Sequence, residues 1–571
     1  MTIAGATRGQ NLFEIDVNLQ ATLDRLAPDG LKRWREDLSS FGQWVGTAVD
    51  EQAEYTDGIA PPVLETYDAA GNIVNHIVQN AQWEACSREA YVRGMVGLNY
   101  GSDPAPYVIT FAMGYLMSQA DISLHCPITM TGAVAHVIAQ FAPEPVRERF
   151  LNSVIRRDGQ ALSGGTWATE QHGGSDIGAT TTIARPISGK PGEVTLTGLK
   201  WFTSNANGGL ALATARPEGG EEGSAGLGVY LVPTHLDDGT PNPMRIRRLK
   251  DKLGTRGVPT GEIDLMETWA MEVAPPPRGF RLMMEALEFS RIHNAMASAG
   301  VQRRAFLEAL DYASNRDAFG HRITRYPMVR DEILKLMVDM EASVALCFEA
   351  ARAFDAAHIH DVEAADEPDR LWLRLVTAFA KYHTAEDAVA GCRRALEIVG
   401  GNAYTADYVI PRILRDAQAL TVWEGPANIQ SLELLRMLGN RYPGYNMFRE
   451  KIEAIISRAP AELAEVAGGD IVAALKTAFM DCCAAIELVQ GDKAEAQRHA
   501  RRLLDFMSDV FAAALLIDEA RLNLEAGDRR KAVVAGLFIS DRLAPPERRG
   551  ILPGESLAHR HFEDLVGYRP F

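Results

Sequence analysis

The sequence predicts an α+β chain: a helical N-terminal part, a middle antiparallel β domain, a helical bundle and a further helical segment. Three features carry that expectation. From residue 83 to 140 apolar side chains recur at spacings of three and four. From residue 162 to 273 glycines and β-branched or aromatic residues take over. After Gly279 the helical period returns and holds to the end.

Taken in order, the first 60 residues have a weak pattern, and Asp57-Gly58-Ile59-Ala60-Pro61-Pro62 marks an extended stretch. Breakers thin out after Pro104 and Pro106 until Ala142-Pro143-Glu144-Pro145, and residues 130–141 (MTGAVAHVIAQF) are apolar on nearly every side, as a helix inside a bundle is. EVTLTGLKWFTS at 193–204 and GLGVYLVPT at 226–234 read as strands, the pattern continues through 261–273, and Pro275-Pro276-Pro277 closes the β part. One long helix is expected over 280–314, then a break at Phe319-Gly320, a helix from 326 to about 356, one within 369–399 and one from 428 to about 437. Residues 471–489 and 500–524 are helical again. The expected segments are 1–160, 161–277, 278–440 and 441–571, and β-to-helix junctions are common places for a ligand cleft.

With 571 residues, 47% hydrophobic and 23% charged, the composition excludes fibrous and disordered classes. A net charge of −17 opposes general binding to nucleic acid or to an anionic membrane, while leaving room for an anionic substrate in a locally basic cleft. No CxxC occurs among the six cysteines (Cys86, Cys126, Cys347, Cys392, Cys482, Cys483), which points to a reducing, cytoplasmic setting. No signal peptide is expected from the first residues, and no apolar run is expected to reach the ~18–20 residues of a membrane span.

Four stretches could carry chemistry. In GGTWATEQHGGSD at 164–176 the glycines permit close backbone approach, and Thr169 and Ser175 offer hydroxyls; alone, it reads as a glycine-rich turn. Lys200-Trp201-Phe202-Thr203-Ser204-Asn205 sets aromatics beside hydroxyls at a strand end, suiting a planar cofactor or merely a core. Arg316-Asp317-Ala318-Phe319-Gly320 ends a helix with an arginine able to grip a diphosphate, or simply exposed. The stretch from Glu397 to Arg436 is the most specific. Gly400-Gly401 breaks a helix, and Trp423-Glu424-Gly425-Pro426 puts a carboxylate between an aromatic and a helix start. Such a glutamate can serve as a base in a dry pocket, or as a helix-start acid. No metal motif stands out: His358/His360 and His559/His561 are HxH pairs in polar stretches that read as surface loops.

In this order and at these spacings the four stretches resemble the acyl-CoA dehydrogenase superfamily over about residues 80–440, closest to its AidB-like branch of adaptive-response flavoproteins. Pro61-Pro62-Val63-Leu64 with Tyr67-Asp68, HCPITMTGA at 125–133, RLKDKLG at 248–254 and VWEGPANI at 422–429 add to the likeness. The resemblance implies a helical N-terminal domain, a β domain, a C-terminal four-helix bundle and an added helical domain. It implies FAD, lined by Trp167, Thr169, Gly174 and Ser175 and by the strand end Phe202, Thr203 and Ser204. Arg316 and Phe319 correspond to residues that reach the FAD of a neighbouring subunit, implying a homotetramer built as a dimer of dimers. Gly400 and Gly401 correspond to the adenine-contacting stretch, and Trp423, Gly425 and Asn428 lie near the flavin, whereas Glu397 departs from the family's usual glutamine. Glu424 matches the catalytic base and Arg291 the arginine beneath it. The expected reaction is α,β-dehydrogenation of an acyl-CoA, with an electron-transfer flavoprotein or another acceptor. Two alternatives stay open: a flavoprotein that binds DNA in alkylation defence, and a flavin oxidase or monooxygenase. Over 441–571 acids slightly outnumber bases despite clusters at Arg498/Arg501/Arg502, Arg529-Arg530-Lys531 and Arg548-Arg549, which makes DNA the weaker reading.

Overall fold

A computed structural model of the chain describes residues 7–358, 367–439, 442–491, 493–544 and 556–571. Contacts gather into two units, Trp44–Pro106 with Ala120–His293, and Met1–Gln43 with Tyr107–Gln119 and Asn294–Phe571.

The first unit is built on a seven-stranded sheet that runs Gly164–Trp167, Leu210–Pro217, Ile183–Pro186, Glu193–Ser204, Thr260–Ala274, Gly228–Pro233, with Met244–Leu249 beside Thr260–Ala274. Leu210–Pro217 also pairs with Gly228–Pro233, which closes five of the strands into a ring. Most ladders are antiparallel as expected, but Gly164–Trp167 and Ile183–Pro186 each run parallel to Leu210–Pro217. Side chains alternate across each strand, so Val194, Leu196, Ala211, Ala213, Tyr230, Val232, Ile263 and Leu265 fall on one side and form the buried core. Leu210–Pro217 reads poorly as a strand because it is rich in alanine; small residues are what a crowded ring interior admits.

The stretch after Pro61-Pro62 becomes a hairpin, Val63–Tyr67 with Ile73–Val78, which the sequence reading left unassigned. Leu64 and Ile77 turn inward to the β core. Asn75, at φ +48°, uses its amide as a strand edge would: its Nδ2 donates to the Met244 carbonyl at 2.8 Å and its Oδ1 accepts from the Ile246 amide at 3.1 Å. The HCPITMTGA stretch lies in the helix Ile122–Phe141, whose N-cap Asp121 accepts from the Ser123 amide at 2.7 Å and from Gln52 at 2.6 Å. Thr131 on this helix accepts from the Gly164 amide at 2.7 Å and fixes the first strand. The expectation that no apolar run reaches membrane-spanning length needs correction: Ile122–Phe141 is 20 residues long and apolar enough, yet 83% of its most apolar window is buried inside the protein, as in a core helix.

The second unit is helical. Pro327–Ala357 and Pro368–Val399 pack along each other and are joined by Ile410–Val422, Ala427–Leu438 and the later helices Ile471–Gly491, Lys493–Glu525 and Arg530–Arg542. Arg278–Asn315 gives its first residues to the β unit and the rest here. Asp355 caps Tyr107–Ser118 by accepting from the Tyr107 and Val108 amides at 2.7 and 3.0 Å, and burial pushes its carboxyl up to about 6. The weakly patterned N-terminus is helical at Val17–Leu26 and Pro28–Trp44. Its anchor is remote in sequence, which is why local periodicity is faint: Asp16 accepts from Tyr115 Oη at 2.7 Å and faces Arg303 at 3.5 Å.

The chain end is tied to the same place. Tyr568 Oη accepts from Arg303 at 2.9 Å, and the Arg530 guanidinium stacks 4.0 Å from the Tyr568 ring. Arg530 and Lys531 are buried against Glu341, and Lys531 reaches Glu519 at 2.7 Å. Paired cations hold the Glu341 carboxyl down at about 2 despite its burial. The basic cluster at 529–531 is therefore largely an internal clamp rather than a solvated face.

Candidate active site

In the β unit the loop at 167–175 and the strand end at 202–204 are brought together. The Trp201 amide donates to the Thr169 carbonyl at 2.9 Å, and Gly165 lies beside the Ser204 carbonyl. What holds this loop is a buried ion pair that the sequence reading quoted but did not single out. Glu170 Oε1 accepts from Lys200 Nζ at 2.9 Å with relative exposures of 2% and 0%. The same carboxylate accepts from the amides and hydroxyls of Thr181 and Thr182 at 2.6–3.1 Å, and Lys200 also donates to the Thr214 carbonyl at 2.7 Å. Lysine and hydroxyl donors together hold Glu170 down at about 2 against the cost of burial. The sequence hides this because a lysine two residues before Phe202 looks like the polar side of a strand.

Above that anchor, groups face outward. The Phe202 ring is 53% exposed, Ser175 and Gly174 lie on the surface, and Thr169 is half-buried. A Cβ on Gly174 would sit 2.6 Å from Thr169 Oγ1, so this position admits no side chain without moving that hydroxyl. Trp167 is buried, and its indole Nε1 has no hydrogen-bond partner among the described residues. Thr203 differs from its neighbours: it is buried and its hydroxyl donates to the Gly261 carbonyl at 2.7 Å, which leaves only its backbone for a ligand. Ser204 Oγ lies 3.1 Å from Thr260 Oγ1. An exposed aromatic face, two hydroxyls without partners among the described residues, an orphaned indole N–H and a glycine-lined loop fit a planar ring system with polar edges such as a flavin. Arg291, in the same unit, pairs with Glu288 at 3.1 Å.

In the helical unit Trp423, Glu424, Gly425 and Asn428 gather at the start of Ala427–Leu438. Glu424 has φ +58° and Gly425 φ +100°, so a non-glycine residue sits in a backbone region that costs roughly 1 kcal/mol or more. The turn is pinned by Gln430, whose Nε2 donates to the Glu424 and Gly425 carbonyls at 3.2 and 3.1 Å. That glutamine is a positioning residue the sequence reading passed over. Strain of this kind persists where surrounding contacts enforce it, and it clusters at functional sites.

Gly400, at φ +74°, ends Pro368–Val399 as expected, and Asn402 in the following turn donates to Tyr312 Oη at 3.2 Å. Tyr312 also accepts the Arg316 amide through its carbonyl at 2.9 Å, so Gly400, Gly401 and Arg316 share a neighbourhood. Arg316 is exposed and has no ion partner among the described residues. Phe319 and Gly320, both at positive φ, form the tip of the short hairpin pairing Asp317 with Arg322, and the Phe319 ring is 95% exposed. Glu397 is exposed and pairs with Arg393 at 2.8 Å. Among the HxH residues, His360 lies outside the described residues. His358 is not in a solvated loop: it stacks 3.9 Å from Phe354, and burial pushes its imidazole down to about 4. His559 meets Asp331 at 2.7 Å and His561 stacks on Phe571.

Comparison with known families accounts for both sets of residues. Residues 4–158 match the adaptive response protein AidB N-terminal domain, 165–268 the acyl-CoA dehydrogenase middle domain, and 277–439 the acyl-CoA dehydrogenase C-terminal domain. The putative acyl-CoA dehydrogenase AidB of Escherichia coli K12 is 30% identical over 429 residues, covering 73% of this chain and 76% of that protein. Acyl-CoA dehydrogenase family member 11 of Caenorhabditis elegans is 29% identical over 528 residues, covering 89% and 84%. The crystal structure of Caenorhabditis elegans ACDH-11 in complex with C11-CoA superposes with a TM-score of 0.83 at 28% identity, covering 94% of this chain and 92% of that one. The helical N-terminal part, β domain, bundle and added C-terminal helices are thus those of one oxidoreductase family, and the chain belongs to the acyl-CoA dehydrogenases on their AidB-like branch.

Proposed function

We propose that the chain is an FAD-dependent acyl-CoA dehydrogenase in which Glu424 is the base. The observation that carries this is the Glu424 turn: a carboxylate kept in left-handed backbone by Gln430, where glycine would be unstrained, is a residue retained for its side chain. FAD, when bound, supplies an electrophilic ring that accepts a hydride. Trp167, Thr169 and Ser175 would bind its polar edge, Phe202 and Ser204 would flank it, and Gly400 and Gly401 would admit the adenine half. Arg316 would hold a diphosphate, and with the bare Phe319 ring it supports the reading that this hairpin serves a neighbouring subunit in a homotetramer. Glu424 would take the α-proton of the thioester onto a carboxylate oxygen, and excluding water keeps that oxygen basic.

The C11-CoA held by the Caenorhabditis elegans protein supports a fatty acyl-CoA as substrate class, and an electron-transfer flavoprotein is the proposed acceptor. Cysteine usage supports a cytoplasmic setting. Against duplex DNA weigh the charge partners of the C-terminal bases: Arg530 and Lys531 are buried on Glu341, Arg498 pairs with Glu495 and Arg501 with Glu386; Arg548 and Arg549 lie outside the described residues.

The test is an anaerobic titration with acyl-CoA esters of graded chain length. Purified protein should be yellow and bleach with at least one ester, and Glu424→Gln should keep its colour while bleaching about 10²–10⁴-fold more slowly. Wild-type rates in Glu424→Gln would sink the base assignment. Protein that holds no flavin would sink the whole reading.

A further inference from the structure

The hairpin Val63–Tyr67/Ile73–Val78 spends only one of its faces. Leu64 and Ile77 point into the β core, while Val63, Tyr67, Ile73 and Val78 are between 39% and 58% exposed. Scattered apolar residues are ordinary on a surface, but these four form two cross-strand pairs, one on either side of a polar pair, with a register shift between Glu65 and Tyr67. Their register is Val63 opposite Val78, Glu65 opposite His76, and Tyr67 opposite Ile73. Glu65 and His76 are exposed on the same face, midway between the two apolar pairs, and neither has a hydrogen bond or ion pair among the described residues.

We propose that this face docks on the same face of a second copy of the chain. The ladder is built for that symmetry. A two-fold axis lying parallel to the strands carries each strand over the opposite strand of its partner and preserves position along the ladder. Glu65 of one copy then lies over His76 of the other, twice, giving a square in which carboxylate and imidazole alternate. The Val63–Val78 pair covers its counterpart on one side and Tyr67–Ile73 covers its counterpart on the other. Sheets packed face to face stand roughly 10 Å apart, a gap that valine, isoleucine and tyrosine side chains fill. An unrelated partner would have to supply the same sequence of apolar, charged and apolar pairs with acid and base exchanged; a second copy supplies it automatically. Two short strands cover less than the roughly 800 Å² per partner of a standard interface, so this contact is one of several in a larger assembly. The inference does not depend on the acyl-CoA reading.

Sedimentation velocity on the full chain tests it, with thermal melts confirming that each variant is folded. His76→Glu sets four carboxylates against one another and should lower the assembly by half in mass. The pair Glu65→Lys/His76→Glu restores the alternating square and should restore the wild-type mass. Independently, a bis-maleimide reaching about 10 Å should cross-link a mixture of Val63→Cys and Val78→Cys proteins into a dimer in higher yield than either variant alone. Overturning results are a wild-type mass for His76→Glu, a folded double variant that stays dissociated, or no cross-link in the mixture beyond that of the separate variants.

Discussion

Replacing Lys200 with methionine should destabilise the β unit by about 3–5 kcal/mol, because it strands a charge that water does not reach. Glu170 and Lys200 are 2% and 0% exposed and 2.9 Å apart. Methionine fills much the same space but leaves the carboxylate with only its threonine donors and the Thr214 carbonyl without its ammonium. Glu170→Gln/Lys200→Met, which removes both charges, should be more stable than Lys200→Met alone by about 2 kcal/mol, since no ion is then left buried. Urea unfolding followed by indole fluorescence reads this directly, because Trp167, Trp201 and Trp269 all lie in this unit. A loss below about 1 kcal/mol for Lys200→Met, or a double variant no better than the single, would refute the account of the pair as a desolvated anchor.

Acid should reveal the same physics. Glu170 and Glu341 are both held below their unfolded value, so the stability they contribute is complete above about pH 4.5 and is lost as pH falls toward about 2. Midpoints of urea unfolding should therefore drop below about pH 4.5, with a shallower drop in Glu341→Gln. Gly174→Ala should move the Thr169 hydroxyl, raising the dissociation constant for FAD at least tenfold while leaving unfolding within about 0.5 kcal/mol, as flavin titration of stripped protein would show. Phe319→Ala removes a ring that touches little of its own subunit, so melting of an isolated subunit should be unchanged, whereas assembly measured by sedimentation should weaken.

Legibility followed the range of the forces. Long helices such as Pro327–Ala357, which is buried nearly all round from Ile333 on, were readable from their apolar run, and so were the stop at Gly400 and the turn at Glu424, because glycine and proline act locally. What escaped depends on distant partners. Val17–Leu26 is held by Asp16 meeting Tyr115 and Arg303, nearly a hundred and nearly three hundred residues away. Leu210–Pro217 is a strand because its neighbours on both sides demand one, against its alanines. Ile410–Val422 is not among the helices expected from the sequence, although Ile410, Ile413, Ala417 and Leu420 are buried at helical spacing. At the site, outward-facing groups were named from motif order, whereas their supports, Lys200 beneath Glu170 and Gln430 beneath Glu424, were not, since support is a matter of which atoms meet.

The clamp at Tyr568 bears on the order in which the molecule can be made. A ribosome releases the strands of the ring and the helix Ile122–Phe141 early, and that unit has what it needs once residue 293 has emerged. The helical unit also owns residues near the beginning, but Asp16 meets Arg303 nearly three hundred residues later, and Arg303 in turn meets Tyr568. Its opening helices must therefore stay partly bare until Arg303 and the helix Pro327–Ala357 have been made, so biogenesis of this unit should lean on chaperones more than that of the β unit.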